Sequence, residues 1–145
     1  MKKISVCIAL LLFAVITTVS SAEDKPFVEK KVVLQISDND PFKQTLVLNV
    51  ASNLIKHYGR DKVDVEIVAF GPGLRLMFAE NSNAGRIKGL AENSGVRFSA
   101  CKNTISGMAK KLGHPPVLDS HAVPVTAGVV QIMDLINQGF VLIKP

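Results

Sequence analysis

Cys101 is the residue of this sequence whose type and position best suit covalent chemistry. It ends a short apolar strand pattern, and the polar residues Asn103 and Thr104 favour the opening of a helix that runs to Leu112. A thiol at such a junction faces unpaired backbone N–H groups and the positive end of a helix dipole, which both favour the thiolate. The sequence therefore predicts a nucleophilic Cys101, with Lys102 adding positive charge and the N–H groups of Lys102 to Thr104 able to hold an anionic sulfur.

Residues 1–22 have the three parts of a secretory signal peptide. The segment starts with Lys2 and Lys3, continues with an apolar run to about residue 19, and ends in the small residue Ala22. A permanent membrane anchor is the alternative, but the apolar core barely reaches the roughly 20 residues that span a bilayer. We therefore predict cleavage after Ala22, a periplasmic or secreted protein, and no stable insertion into a membrane.

Export places Cys101 in an oxidising compartment without an internal partner. The chain has two cysteines, and the other one, Cys7, lies within the predicted signal. A lone cysteine in such a compartment is buried and inert, paired with another molecule, or kept as a reactive thiol. The inert alternative stays open at this point, because free cysteine is among the most buried residue types.

The composition indicates a small globular protein. Of the 145 residues 48% are hydrophobic, and the chain suits an exposed lead-in at residues 23–31 followed by one domain at residues 32–145. There are 17 basic against 12 acidic residues, and two of the basic ones belong to the predicted signal. The remaining basic residues are scattered with few aromatic residues between them, so we expect no binding of nucleic acid.

Strand and helix patterns alternate along the domain. Strands are predicted at Val32–Ile36, Val63–Phe70, Val96–Cys101, Val123–Val125 and Phe140–Ile143, with about four helices between them. The strands are too apolar to face water on either side. The order therefore predicts an α/β protein with a mostly parallel five-stranded sheet and helices on both faces.

Two of the helices carry a pronounced apolar stripe. The first begins after the cap candidates Asp38 to Asp40, contains Pro41 in its first turn and ends at Gly59. The last is predicted to begin at Thr126 as its cap and to end at Gly139. The apolar positions expected to face the core are Phe42, Leu46, Val47, Val50, Leu54, Ile55 and Tyr58 in the first helix, and Val129, Val130, Ile132, Met133 and Ile136 in the last.

The carboxyl ends of the predicted strands gather the candidate site residues. In an open parallel sheet ligands bind beyond this edge. Asp38 and Asn39 follow the first strand, Gly71 and Gly73 follow the second, and Cys101 ends the third. The glycine pair completes neither a dinucleotide-binding nor a P-loop pattern, which favours a tight turn over a nucleotide site.

A metal site is a weaker candidate, and no cofactor is predicted. His57, His114 and His121 show no metal-ligand spacing, and the sequence has no CxxC or HExxH pattern. His114 and His121 share a proline-containing loop with Asp119, which could bring them towards Cys101.

Three stretches together resemble the DsrE/DsrF-like family, the relatives of bacterial sulfur-relay subunits. They are the segment from Val96 to Thr104 with its A-C-x-N-T sequence, the earlier Phe70–Gly73, and the tail from Val123 to the closing Ile-Lys-Pro. The resemblance covers nearly the whole domain.

Membership would imply a three-layer α/β fold of flavodoxin-like type and assembly into homotrimers or homohexamers. In the sulfur-handling members a cysteine carries sulfane sulfur as a persulfide, and the matching residue is Cys101. The resemblance therefore favours a sulfur carrier or thiol-redox protein that acts on a thiol or persulfide partner. The alternative is a non-enzymatic oligomeric protein that binds a small ligand or a partner and whose cysteine is structural.

Overall fold

A computed structural model describes residues 25–145 of the chain. The predicted signal, with Cys7 and the cleavage site, lies outside the described residues. The helices and strands, in chain order, are β1 (Lys30–Ile36), α1 (Pro41–Tyr58), β2 (Val63–Ala69), a 3₁₀ helix (Gly71–Met77), α2 (Ala84–Ser94), β3 (Arg97–Cys101), α3 (Lys102–Leu112), β4 (Ala122–Val125), α4 (Gly128–Asn137) and β5 (Val141–Ile143).

The five strands form one sheet in the order β4-β3-β2-β1-β5, and every pairing is parallel. The predicted α/β class and five-stranded sheet are therefore confirmed. Successive connections move outward from β1 to β4, and the last one returns across the sheet to place β5 beside β1. The two edges are β4, which contains Pro124, and the three-residue β5.

The return connection divides the helices between the two faces. Side chains of α1 and α2, with partly buried ones of α3, pack against one face of the sheet, where alternate residues of β1 and β2 form the main core. Ile132 and Leu135 of α4 pack against the other face with Val33, Val68 and Phe140. This arrangement follows from crossover handedness, because right-handed connections that run in opposite directions along a sheet lie on opposite faces.

Local sequence explains why α1 begins and ends where it does. The side chain of Asp40 accepts a hydrogen bond from the N–H of Phe42 at 2.8 Å, and Pro41 occupies the first helical position. Gly59 closes the helix at a φ of 89° and donates its N–H to the Ile55 carbonyl. The predicted limits of this helix are confirmed.

The predicted buried faces of α1 and α4 are partly wrong. Phe42 is 86% exposed and Leu46 44% exposed, because α1 meets the sheet through a neighbouring stripe. In α4 Ile132 is buried as predicted, but four other apolar side chains lie in solvent because α4 lies by itself on its side of the described domain. They are Val129, Val130, Met133 and Ile136, which we call the α4 apolar stripe.

The lead-in is shorter and better anchored than the sequence predicts. β1 begins at Lys30, two residues before the predicted start. The Lys25 ammonium donates to the carbonyl oxygens of Val63 and Ser94, both at 3.1 Å. Burial lowers the pKa of Lys25. These bonds tie the described part of the lead-in to the amino-terminal end of the sheet.

A buried polar network lies beneath α4. Glu66 is 3% exposed, and one of its oxygens accepts from the Ser99 hydroxyl at 2.6 Å and from the Gln131 amide at 2.8 Å. The other oxygen accepts from Arg97 at 2.9 Å, and Arg97 also pairs with Asp64. Every buried side-chain polar atom among residues 25–145 has a partner, so this network carries no unpaired group.

No helix among the described residues is long and apolar enough to cross a membrane.

We expect Glu66→Ala to lower the free energy of unfolding by about 3 kcal/mol, because it leaves Ser99 and Gln131 without their buried acceptor and leaves Arg97 paired with Asp64 alone. The measurement is urea denaturation followed by circular dichroism. Glu29→Ala is the control, because Glu29 pairs with Lys62 at 2.9 Å where both side chains are more than half exposed. This control should change stability by less than about 1 kcal/mol. Equal effects of the two substitutions would contradict a structural role for the network.

Candidate functional site: a thiol between two helix starts

Cys101 lies where β3 passes directly into α3. It is the last residue of the strand and also the N-cap of the helix, which begins at Lys102. The predicted helix openers Asn103 and Thr104 are therefore inside the first turn, and the expectation that they open the helix is wrong. Because no loop separates strand from helix, the sulfur is placed at the helix start itself.

The polar groups near the sulfur set the direction of its pKa shift. Burial raises the pKa of Cys101, but the Thr104 hydroxyl and the backbone N–H groups of Gly128, Thr104 and Asn103 lower it by more. The net result is a pKa below the usual value of a thiol. The Cys101 side chain makes no capping hydrogen bond to the first turn of α3, so these groups act on the thiolate as nearby dipoles.

The orientation of the Thr104 hydroxyl follows from its second contact. Its oxygen accepts a hydrogen bond from the N–H of Gly71 at 2.9 Å. That N–H occupies one acceptor position, and the hydroxyl hydrogen remains free to point at the Cys101 sulfur. Gly71 therefore supports the thiolate indirectly, through Thr104, and its φ of 54° is a conformation that favours glycine.

Gly128 is a site residue that the sequence analysis missed. It is the first residue of α4, it is buried, and its N–H is one of the groups that lower the pKa of Cys101. A Cβ at this position would lie 2.9 Å from the Phe70 ring, so the close approach of α4 requires glycine. Thr126, the predicted cap, precedes the true N-cap Ala127, and that prediction is wrong. The sequence does not reveal the role of Gly128, because no local pattern shows that β4, which precedes Gly128, pairs with β3.

The sheet topology explains why two helix starts meet at one sulfur. β3 and β4 are neighbours, with Cys101 in register with Val125. α3 leaves β3 towards one face of the sheet, and α4 leaves β4 towards the other. A crevice between diverging helices at the carboxyl ends of parallel strands is where ligands bind in open α/β sheets. Both helices direct the positive ends of their dipoles into it.

Cys101 is nevertheless only 5% exposed. The polar groups that lower its pKa distinguish it from a cysteine packed solely among aliphatic groups. The thiol is therefore more acidic than usual, while its burial limits approach to the sulfur.

The remaining predicted residues have separate positions. Lys102 and Asn103 are exposed at the start of α3. Gly73 donates to the Ser37 carbonyl at 3.0 Å, and a Cβ there would lie 2.5 Å from the Ile36 carbonyl oxygen, so its role is close packing against the end of β1. Asp38 pairs with Lys43 at 3.1 Å. The side chains of these residues are therefore not gathered around the sulfur, although the backbone N–H of Asn103 helps to lower the pKa of the thiol.

Two cavities open beside the 3₁₀ helix. The first, about 360 Å³, lies between this helix and α3, and its lining includes Gly71, Arg75, Thr104 and Lys111. The second, about 430 Å³, is lined by Asn39 and by polar residues that follow the 3₁₀ helix. Arg75 contributes to both. Thr104 connects the first cavity to the thiol, whereas Asn39 faces only the second.

The histidine loop does not approach Cys101. His121 immediately precedes β4, at the opposite end of that strand from Val125, the partner of Cys101. A hydrogen bond to Asp119 at 2.8 Å raises the pKa of His121, whose other nitrogen lies 3.2 Å from Glu92. Within residues 25–145, no group of three or more histidine, cysteine or acidic side chains is arranged to hold a metal ion.

Comparison with known proteins extends the fold assignment. No protein-family model matches the chain, and no curated protein matches it. Among solved structures it is similar to MTH1491, a protein of unknown function from Methanobacterium thermoautotrophicum, with 25% identity and a TM-score of 0.69. The match covers 81% of this chain and the whole of the other. The shared α/β fold therefore extends over nearly all of the described residues.

We expect Thr104→Val to raise the pH at which Cys101 becomes reactive, because the thiolate loses its hydroxyl donor. The measurement is the rate of iodoacetamide labelling between pH 5 and 10, since only the thiolate reacts. In the native protein the rate should reach half of its maximum below about pH 8.5, the ordinary pKa of a thiol. At pH 6 the variant should react about tenfold more slowly.

Thr104→Ser is the matched control, since it keeps the hydroxyl and should keep the native profile. Identical profiles for the native protein and Thr104→Val would show that the hydroxyl does not stabilise the thiolate.

Proposed function

We propose that this protein is an exported sulfur carrier in which the Cys101 thiolate accepts sulfane sulfur and delivers it to another thiol. The observation that carries the proposal is the position of Cys101 at the start of α3, beside the start of α4, where N–H groups of both helices lower the pKa of one thiol. The resemblance of the segment around Cys101 to the DsrE/DsrF-like family supports the same chemistry.

The proposed reaction is a transfer between thiols that needs no external oxidant or reductant. The Cys101 thiolate attacks the outer sulfur of a donor R–S–SH, a new S–S bond forms at Cys101, and the donor S–S bond breaks. The products are Cys101–S–SH and the donor thiolate R–S⁻, so the single negative charge moves from protein to donor. An acceptor thiolate then attacks the outer sulfur of Cys101–S–SH and leaves Cys101 as a thiolate again.

The environment of the sulfur suits both halves of this cycle. The polar groups that lower the pKa of Cys101 raise the fraction of thiolate that can attack a donor at a given pH. They also make Cys101 a better leaving group in the delivery step, because a thiol of lower pKa leaves faster. A cysteine packed only among aliphatic groups would have a raised pKa instead.

The alternative function is a non-enzymatic oligomeric protein that binds a small ligand or a partner. The low exposure of Cys101 favours it, because a packed cysteine is inert. The two possibilities differ in the reactivity of the thiol: rapid labelling of Cys101 at pH 6 would exclude an inert cysteine with a raised pKa.

Treatment with sodium tetrasulfide should add about 32 Da, one sulfur atom, to the peptide that contains Cys101. Tandem mass spectrometry locates the adduct, dithiothreitol should remove it, and Cys101→Ser should abolish it at this peptide. Free glutathione in the same reaction confirms that the donor is active. Modification of glutathione without any modification of Cys101 would exclude the carrier function.

Self-association and export are part of the same proposal. The resemblance implies a homotrimer or a homohexamer, and the α4 apolar stripe supplies a surface for a second copy of the chain. Its four side chains are 44–59% exposed and recur at helical spacing on one side of α4, with Asp134 as the one charged residue of that helix. The sequence of residues 1–22 supports export to the periplasm or the medium.

Native mass spectrometry of the secreted protein should report both the cleavage of the signal and the number of protomers in the assembly. The protomer mass should correspond to a chain that starts at Glu23, and the intact assembly should contain three or six protomers. Met133→Glu, which places a charge in the α4 apolar stripe, should shift the assembly to monomers, whereas Asp134→Glu should not. A monomeric native protein would contradict the assembly, and an unprocessed chain would contradict cleavage.

A further inference from the structure

The cavity between the 3₁₀ helix and α3 has a composition that selects for anions. Its lining contains two cations, Arg75 and Lys111, and no acidic residue. The rest of the lining includes apolar atoms of Pro72 and Met108. At about 360 Å³ it falls within the size range of small-molecule sites. An occupant would thus be a small molecule with a negatively charged group and an apolar portion.

The cavity runs along the same side of α3 as the thiol. Cys101, Thr104, Met108 and Lys111 recur at spacings of three and four, which places them on one face of the helix. At about 1.5 Å of rise per residue, Lys111 lies roughly 15 Å along the axis from Cys101. A molecule as long as a few amino-acid residues could therefore reach from the Lys111 ammonium to the Cys101 sulfur.

Thr104 is shared by the cavity and the thiol. It lines the cavity, and its hydroxyl helps to lower the pKa of Cys101. Cys101 is only 5% exposed and does not itself line the cavity, so Thr104 is the residue that links a cavity occupant to the thiol. We expect a small donor to reach so buried a sulfur more readily than a persulfide on the surface of a folded protein.

We propose that this cavity binds low-molecular-mass persulfides that carry a carboxylate, with the carboxylate held by Arg75 and Lys111 and the sulfur directed towards Cys101. The inference rests on the proposed sulfur-carrier function and names the substrate class of that site. A guanidinium and an ammonium on opposite walls provide charge-assisted hydrogen bonds to a carboxylate. The reacting donor is the R–S–SH of the transfer above, and R is the part that the cavity recognises.

The kinetic test compares two donors on the full protein. Glutathione persulfide carries carboxylates, and N-acetylcysteamine persulfide carries none. The rate of Cys101 persulfide formation is followed by quenching with iodoacetamide and mass spectrometry. We expect glutathione persulfide to react about tenfold faster, because hydrogen bonds from Arg75 and Lys111 to its carboxylate would strengthen its binding by about this factor. Raising the ionic strength should reduce this preference.

Variants assign the preference to the cavity. The double substitution Arg75→Gln with Lys111→Gln should abolish the preference, because the rate with glutathione persulfide should fall to the rate with the donor that lacks a carboxylate. Lys110→Gln is the matched control, since it removes an exposed charge from the adjacent position of α3 and does not touch the cavity. Equal rates for the two donors in the native protein, or a preference that survives in the double variant, would overturn the proposal.

A binding measurement separates the cavity from the chemistry. S-methylglutathione cannot transfer sulfur, and isothermal calorimetry should detect its binding to Cys101→Ser but not to the same protein with Arg75→Gln and Lys111→Gln. Failure to bind would overturn the cavity proposal even if tetrasulfide modifies Cys101. Binding without modification by any donor would retain the cavity as an anion site and remove the carrier function.

Discussion

The return of the chain from β4 to β5 is the constraint on which the site depends. Three connections advance along the sheet in one direction, and the fourth has to go back. This reversal puts α4 on the face opposite α1, α2 and α3. Because β3 and β4 are adjacent, the helices that follow them separate directly above Cys101. One sulfur thereby receives N–H groups from helices that belong to different layers of the protein.

The buried network beneath α4 helps to hold this geometry. Gln131 lies three residues after Gly128, in the first turn of the helix, and its amide binds the carboxylate of Glu66 in β2. This bond fixes the rotation of the first turn about the helix axis. Ile132 and Leu135 fix the distance from the sheet by apolar packing. Together these contacts determine where the Gly128 N–H points, so a carboxylate in the sheet has a part in orienting a donor at the thiol.

The features that the sequence predicts well are those encoded by neighbouring residues. Asp40, Pro41 and Gly59 set the limits of α1 through contacts within a few residues, and the apolar strands reveal a covered sheet. The position of Cys101 at the end of β3 is visible for the same reason. Gly128 and Glu66 are not, because their roles depend on which strands pair and on which face a helix lies. Periodicity shows that one side of α4 is apolar, but it does not show whether another helix packs beside α4. The sequence therefore predicts that the whole α4 apolar stripe is buried, although it is exposed.

The close packing at Gly73 has a consequence for how a ligand enters. A methyl group there would overlap the Ile36 carbonyl, and the residue is further joined to Ser37 by its own N–H. Arg75 follows two residues later on the same short helix, so one wall of the first cavity is fastened to the end of β1, an interior strand of the sheet. A wall of this kind is preorganised and loses little conformational entropy when a ligand arrives. The cavity would then discriminate between ligands by their shape and charge. It would not need a flexible segment to close over a bound ligand.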